Sequence, residues 1–530
     1  MDGIIVVNKE KDWTSFDVTK KLRAILHEKK IGHTGTLDPA ASGVLVVCAG
    51  RATKLVDSIT GTDKVYEAEI TLGVETDTED GTGTVLAERP VQVTETEFRE
   101  AAASFVGEYD QLPPMYSAKK INGKKLYEYA RAGREIERRS NKVRIYEIQV
   151  SSFTPPTAHL IIRCGKGTYI RTLCADIGRK LGCGACMTAL ERTRVGKFTI
   201  AESRTIAEIQ ALSDQGRISE VLKPAIYIPE PTVVTFGKFD GGHRGHQLIF
   251  ENVRKIAAEK GYKTAVLTFT QNPEVVISGK HNPGISTEQE HITRLRNFGF
   301  DYVAEFPMNE RTMHMQAADF FREVLVNAMN AREIVAGTDC SFGYRAEGNA
   351  AFLAKYGAAY GIGVHIIKKK EAVDETGNPR EISSTYIKEL IASGNVKKAR
   401  ELLGRYFSVS GTVVKGKQIG STVLGFPTAN ILPAKGKSLP RTGVYVSRVL
   451  IDQKLYKGMT NVGDNPTVAE DNPINIETYV IDYSGDLYGK KIRVDFVERL
   501  REQKKFSSLE ALREQLQKDV AAAAEYQIMD

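Results

Sequence analysis

Three short strings place side chains whose types and spacing can do chemistry. Gly32-His33-Thr34-Gly35-Thr36-Leu37-Asp38-Pro39 sets one carboxylate in a loop flanked by Gly35 and Gly43. The glycines permit tight backbone geometry, and Pro39 stiffens the position after the acid. A carboxylate held this way can act as nucleophile or base, and a solvated turn aspartate is the plain alternative. Phe236-Gly237-Lys238-Phe239-Asp240-Gly241-Gly242-His243-Arg244-Gly245-His246 follows an apolar run and leads into a helical pattern. A helix N-terminus favours an anion and two imidazoles can donate to its oxygens, so this string suits phosphate handling. Gly425-Phe426-Pro427-Thr428-Ala429-Asn430 precedes β-rich sequence, where an ordinary proline turn is the plain alternative. Cys183-Gly184-Ala185-Cys186 has redox or metal spacing but no second cysteine pair nearby, and it is read as buried small residues in a turn.

The elements that must position these strings change rhythm twice along the chain. Ile4–Val7, Val44–Cys48 and Tyr66–Leu72 read as strands, and Thr14 or Ser15 caps a helix running to about Leu26. Between about Ser203 and Pro231 the pattern loosens and ends in two closely spaced prolines, which suits a linker. From Thr232 strands and helices alternate: Thr232–Phe236, a helix from His246 to about Lys260, then Thr264–Phe269, Glu333–Ala336 and Gly363–Ile367. That alternation signals βαβ units and a parallel sheet. From Tyr406 the strands Phe407–Val414, Val444–Leu450, Ile476–Ile481 and Ile492–Val497 precede a helix of about Ser508 to Ala524, as in a small antiparallel barrel with a C-terminal helix.

With 530 residues, the chain is too long for one ordinary core. The expected fold class is multidomain α+β and α/β: a mixed-sheet domain over residues 1–229, a Rossmann-like domain over 230–405 and an antiparallel barrel over 406–530. No apolar run reaches the ~20 residues of a membrane span, and the N-terminus does not read as a signal peptide, so a cytoplasmic location is expected. Six cysteines in so long a chain argue against a disulfide framework, and the net charge of +7 is compatible with nucleic acid.

The first string, with Lys64-Val65-Tyr66, Tyr116-Ser117-Ala118-Lys119, Gly123-Lys124-Lys125-Leu126-Tyr127 and Lys166-Gly167-Thr168-Tyr169-Ile170-Arg171-Thr172, resembles the tRNA pseudouridine synthase B (TruB) family over about residues 3 to 200. The resemblance implies conversion of a T-loop uridine of tRNA, position 55, to pseudouridine without cofactor or metal. It assigns catalysis to Asp38, with Arg171 as the cation that keeps it ionised and Tyr66 stacked on the target base. His33 fills the space left by the base, and Lys119, Lys124 and Lys125 are candidate phosphate contacts, each weighed against simple solvation. Glu10 stands where the family has proline, and the C-terminal RNA-binding extension is cut short.

The second string, with Gly337-Thr338-Asp339-Cys340-Ser341-Phe342-Gly343 and Ile382-Ser383-Ser384-Thr385, resembles the FAD synthetase half of bifunctional riboflavin kinase/FAD synthetases. The resemblance implies ATP binding by Gly237, Phe239, Asp240, His243, His246, Ser384 and Thr385, and adenylylation of FMN. Gly242, Asn272, Tyr386 and Lys388 depart from the family pattern. The third string, with Thr460-Asn461-Val462-Gly463, Asn465-Pro466-Thr467 and Ile476-Glu477-Thr478, resembles the riboflavin kinase half from about Tyr406 onward. It implies Gly425, Pro427, Thr428 and Asn430 around ATP, Thr428 and Asn430 near Mg²⁺, and Glu477 as the base acting on riboflavin. The loop from Gly416 to Gly425 is one residue longer than usual, with Ser421 in place of arginine.

The sequence thus reads as a three-activity enzyme acting on tRNA, on riboflavin and on FMN, with ATP and Mg²⁺ for the flavin steps and no obligate protein partner or membrane. Two alternatives stay open: a weakened adenylylating domain beside the other two activities, and a first domain that mainly binds or folds tRNA.

Overall fold

The computed structural model describes residues 1–528 apart from 118, 122, 135, 271–282, 415–426 and 465–473. The chain divides into two compact units, Met1–Pro229 with Asn327–Asn330, and Glu230–Val326 with Ala331–Asp530.

The first unit is built on a mixed sheet. Its strands are β1 (Gly3–Lys9), β2 (Ile31–His33), β3 (Ser42–Ala49), β4 (Lys64–Leu72), β5 (Gly107–Gln111), β6 (Asn141–Thr154), β7 (Thr157–Cys164), β8 (Ala185–Val195) and β9 (Phe198–Thr199). The order is β1-β3-β8-β4-β7-β6-β5, with β2 on β3 and β9 on β8. Only β3 and β8 run parallel. Helix α1 (Ser15–Leu26) starts at Thr14 in a capping box with Asp17, and its Val18, Leu22, Ile25 and Leu26 pack into one core with Ile5, Val7, Leu45 and Val47. Helix α2 (Ile170–Lys180) covers the second core through Leu173, Cys174 and Ile177. Cys183 and Cys186 are buried free thiols.

The expected linker is folded for most of its length. Helix α3 (Ile206–Asp214) opens with a capping box of Thr205 and Glu208 and buries Ile206 and Ile209. Ile4 and Lys223 form an isolated bridge, and Tyr227 stacks on Phe198 with centroids 5.8 Å apart. The apolar periodicity here is short, so its core role shows only in tertiary packing.

In the second unit, β10 (Thr232–Phe236), β11 (Lys263–Phe269), β12 (Tyr302–Phe306), β13 (Ala331–Gly337) and β14 (Gly363–Ile367) form a parallel sheet ordered β12-β11-β10-β13-β14. The direction of winding reverses between β10 and β13, and the loop leaving β10 is the glycine-rich one. A switch point of this kind opens a crevice at the carboxyl ends of the strands. Helix α4 begins at Arg244, two residues before the expected start, because His243 is the cap residue (Arg244–Lys260). Helix α5 spans Glu288–Asn297, and α6 (Ser384–Ser393) and α7 (Val396–Leu403) lead into the barrel.

The barrel closes as β15 (Phe407–Val414), β16 (Thr428–Ile431), β19 (Ile474–Val480), β18 (Lys454–Asp464), β17 (Gly443–Ile451) and β20 (Lys491–Arg501), the last pairing back to β15. Tyr386, Ile387, Leu390 and Leu403 of α6 and α7 share one core with Phe407, Tyr445, Val494 and Phe496 of the barrel. The closing helix α8 (Leu509–Glu525) covers the other side, where Ala523 meets Val446 and Met459.

Candidate active sites

In the first unit, Asp38 and Arg171 meet at a cavity of about 510 Å³, also lined by Thr34, Tyr66, Lys119 and Lys166. Arg171 Nε lies 2.9 Å from Asp38 Oδ2. Its other nitrogens are held from behind, Nη1 donating to Thr78 O at 3.0 Å and Nη2 to Tyr116 O at 3.0 Å, with Asp80 Oδ2 at 3.5 Å. The guanidinium side chain is 6% exposed and Asp38 is 41% exposed, so a fixed cation faces an acid that a ligand can reach. Tyr66 lies in β4 opposite Arg192 of β8 and Ile162 of β7, and burial raises its phenol pKa.

The loop carrying Asp38 is pinned by residues that the motif alone did not single out. Arg192 donates to Gly35 O at 3.1 Å, Thr36 O at 3.4 Å and Val44 O at 2.7 Å. Leu37 N donates to Ser15 Oγ at 3.0 Å. Buried Lys9 sends Nζ to Pro39 O at 3.2 Å, Trp13 O at 2.7 Å and Glu10 O at 2.9 Å, and burial lowers its pKa to about 8. Gly43 sits at φ +102, where a Cβ would come within 2.4 Å of Arg192 O, so only glycine lets β3 approach β8 here. These anchors come from elements up to 157 residues away, so no local pattern announces them.

His33 ends β2 beside the cavity, outside its lining, with burial and Arg192 lowering its pKa. Lys119 lines the cavity and donates to Asn141 Oδ1 at 2.7 Å. Lys124 is exposed, and the side chain of Lys125 lies outside the described residues.

In the second unit, His243 caps α4, and His246 N donates to its Nδ1 at 3.4 Å, leaving Nε2–H as the His243 donor. The two imidazoles stack with centroids 3.5 Å apart. Burial lowers the His243 pKa to about 4 and that of His246 well below its usual value, which favours the neutral imidazoles over cations. The loop before them is tightly framed. The Asp240 carboxylate accepts from Ile285 N at 2.9 Å and Ser286 N at 3.1 Å, and Ser384 Oγ donates to Asp240 O at 3.0 Å. Phe239 packs edge-on to His246, Gly237 takes φ +159, and Thr385 is exposed at the start of α6.

The departures in this half have local explanations. Gly242 has φ +56, and a Cβ there would approach the Phe298 ring to 2.9 Å, so glycine fits where a larger residue does not. Lys388 Nζ lies 3.9 Å from Asp240 Oδ2 and keeps a cation beside the loop. Tyr386 is buried, with the Arg380 guanidinium 3.8 Å above its ring. Asn272 lies outside the described residues.

In the barrel, β16 pairs with β19 so that Asn430 faces Glu477. Asn475 Nδ2 bridges them, donating to Asn430 Oδ1 at 3.0 Å and to Glu477 Oε1 at 2.8 Å. Asn475 is one residue before the quoted motif and was not singled out; the period-two alternation of a strand, which puts 475 and 477 on one face, is the signal that finds it. On the neighbouring positions Ser447, Thr460 and Thr478 form a buried hydroxyl row with spacings of 2.8 and 2.9 Å, fixing three strands to one another. Thr428 opens β16, Pro427 is exposed, and Gly425, Ser421 and Asn465-Pro466-Thr467 lie outside the described residues.

Comparison with known proteins divides along the same lines. The N-terminal domain model of TruB family pseudouridylate synthases matches residues 23–170, and the tRNA pseudouridylate synthase B C-terminal domain matches 171–227. The FAD synthetase model matches 226–386 and the riboflavin kinase model 403–527. The tRNA pseudouridine synthase B of Bacillus pumilus is 48% identical over 231 residues, covering 42% of this chain and 75% of its own. That of Listeria innocua is 53% identical over 216 residues, covering 39% and 71%. A solved structure described as a macrolide-efflux protein from Streptococcus pneumoniae aligns at 33% identity and a TM-score of 0.52, over 57% of this chain and 96% of its own. Among the described residues no helix is long and apolar enough to cross a membrane.

Proposed function

The chain belongs to the tRNA pseudouridine synthase B family and carries FAD synthetase and riboflavin kinase domains, and from that premise we propose how its three sites divide the work. The enzyme forms pseudouridine in tRNA, phosphorylates riboflavin and adenylylates FMN. Its domains run over 1–229, 230–405 and 406–530, its tRNA target is the T-loop uridine at position 55, and it works in the cytoplasm.

For the tRNA reaction, the observation that carries the reading is Asp38 at 2.9 Å from the buried Arg171 Nε in an open cavity. The uridine leaves its stack to reach the cavity, at a cost in unstacking energy. Asp38 attacks the sugar or removes a proton while the glycosidic bond breaks. The base turns within the site and its C5 bonds to the sugar carbon, any bond from Asp38 to the sugar breaking; C5 then loses its proton and N1 gains one, leaving Asp38 a free carboxylate. Tyr66 packs on the base, and His33, Lys119, Lys124 and Lys125 serve the RNA around it. This step needs neither metal nor cofactor.

For the flavin reactions, Glu477 takes the proton of the riboflavin hydroxyl, whose oxygen forms a bond to the γ-phosphorus of ATP as ADP leaves. The FMN phosphate then attacks the α-phosphorus of a second ATP, pyrophosphate leaves, and FAD results. Gly237, Phe239, Asp240, His243, His246, Ser384 and Thr385 hold ATP in the second step, and Gly425, Pro427, Thr428 and Asn430 hold it in the first. The Thr428 hydroxyl and Asn430 carbonyl oxygen are hard donors of the kind Mg²⁺ takes beside substrate phosphates. Mg²⁺ held by Thr428 and Asn430 would neutralise phosphate charge.

The test is direct. Purified chain with riboflavin, ATP and Mg²⁺ yields FMN and then FAD, separated by chromatography, and releases tritium from uridine-labelled tRNA. Asp38→Asn brings tritium release to background with FMN and FAD formation unchanged. Wild-type tritium release by that variant overturns the assignment of Asp38.

A further inference from the structure

The glycine-rich loop of the adenylylating half is held partly by residues from the riboflavin kinase half. Its Asp240 carboxylate is fixed by the backbone of Ile285 and Ser286. That backbone is in turn tied to the segment between β16 and β17. Gly284 N donates to Gly436 O at 2.8 Å, Ser438 N donates to Gly284 O at 2.8 Å, and Ser438 Oγ donates to Pro283 O at 3.3 Å. Lys437 at the centre of this segment is 3% exposed, and its Nζ lies 2.6 Å from Glu290 Oε2. Glu290 also accepts from Thr287 N at 3.1 Å in the capping box that starts α5, directly after Ser286. Ile285 is fully buried in the same core as Phe407, Tyr445 and Phe496.

A second tie reaches the next residue of the loop. Arg405 Nη2 donates to Gly241 O at 3.1 Å, beside Arg294 Nη1 at 3.2 Å. Lys437 lies in the barrel domain and Arg405 at its boundary with the adenylylating domain, and both fall within the span matched by the riboflavin kinase model. Neither reaches the imidazoles directly, so each acts through the backbone of the loop.

We propose that Lys437 and Arg405 are positioning residues for FMN adenylylation, through which the kinase half sets the loop that presents His243 and His246 to ATP. An ion pair this buried is costly to break on one side only, which leaves an uncompensated charge next to the loop. Small displacements of groups that orient a reacting phosphate reduce turnover steeply, and outer partners of such groups are worth about ten- to a hundredfold.

The inference rests on the reading that this half makes FAD, and the experiment separates the two. The full chain carrying Lys437→Met is assayed for riboflavin phosphorylation and, with FMN supplied, for adenylylation. Adenylylation is expected to fall about tenfold or more in kcat, with phosphorylation within twofold of wild type. Lys437→Arg, which keeps the charge, is expected to restore most of the rate. Arg405→Gln is the second variant, with the same split expected, should Lys437→Met not fold. Equal loss of both activities, or adenylylation at the wild-type rate, overturns the inference. Wild-type chain that makes FMN but no FAD overturns the functional reading and the inference with it.

Discussion

Arg171, Asn430 and Glu477 are each held by neighbours, and Arg171 in turn holds Asp38. Arg171 is fixed by two backbone carbonyls and Asp80, so its Nε is committed to Asp38 before any ligand arrives. Such fixed charge costs no reorganisation during the reaction. Asn475 holds Glu477 in the same way, donating to one carboxylate oxygen at 2.8 Å. Glu477→Gln is expected to lower riboflavin phosphorylation by about a hundredfold or more, the scale of a lost general base. Asn475→Ala is expected to lower kcat for the same step by about tenfold, with KM for riboflavin little changed. Steady-state kinetics of FMN formation checks both. An Asn475→Ala enzyme with wild-type kcat would remove that residue from the account.

At the scale of elements, the proposed adenylylating site is built on one helix start and one loop. Helix α4, capped by His243, starts directly after the glycine-rich loop that leaves β10, at the switch point of the sheet. With neutral imidazoles, the proposed phosphate contact is made by hydrogen-bond donors and the helix terminus rather than by full histidine charge. His246→Ala is therefore expected to slow FMN adenylylation by roughly a hundredfold, the scale of one lost transition-state donor, and to leave riboflavin phosphorylation intact. Turnover of supplied FMN to FAD measures it, and an unimpaired variant would exclude His246 from phosphate binding.

Across the whole molecule the two units respond differently to acid. His243 and His291 have folded-state pKa values near 4 against an ordinary 6.5, through burial. Between these values the unfolded chain binds protons that the folded second unit does not. Its stability is therefore full above about pH 6.5 and declines as the pH falls toward 4. The sole tryptophan, Trp13, lies in the first unit and gives that unit its own signal. From pH 7 to 5 the unfolding midpoint seen by circular dichroism is expected to fall by roughly 4 °C or more, while the midpoint seen by Trp13 fluorescence moves less. Equal shifts in both signals would show that these histidines do not govern the acid response.

The strings around Asp38, His243 and Glu477 were legible in the sequence because each is contiguous and sits where its element pattern changes. The same holds for the parallel sheet after Thr232 and the barrel after Tyr406, whose strands are long enough for periodicity to register. The stretch from about Ser203 to Pro231 read as a linker because its pattern loosens and ends in two closely spaced prolines, yet Ile206, Ile209 and Tyr227 are buried. Lys9, Ser15 and Arg192 are unremarkable in isolation and become anchors of the Asp38 loop only when β1, α1 and β8 converge on it. Lys437 and Glu290 stand 147 residues apart, and their pairing exists only in the folded second unit. Sequence alone singled out the candidate groups for the chemistry, because reaction type dictates residue type. Tertiary structure decided how firmly they are held, because buried hydrogen bonds and ion pairs join residues that no local spacing connects.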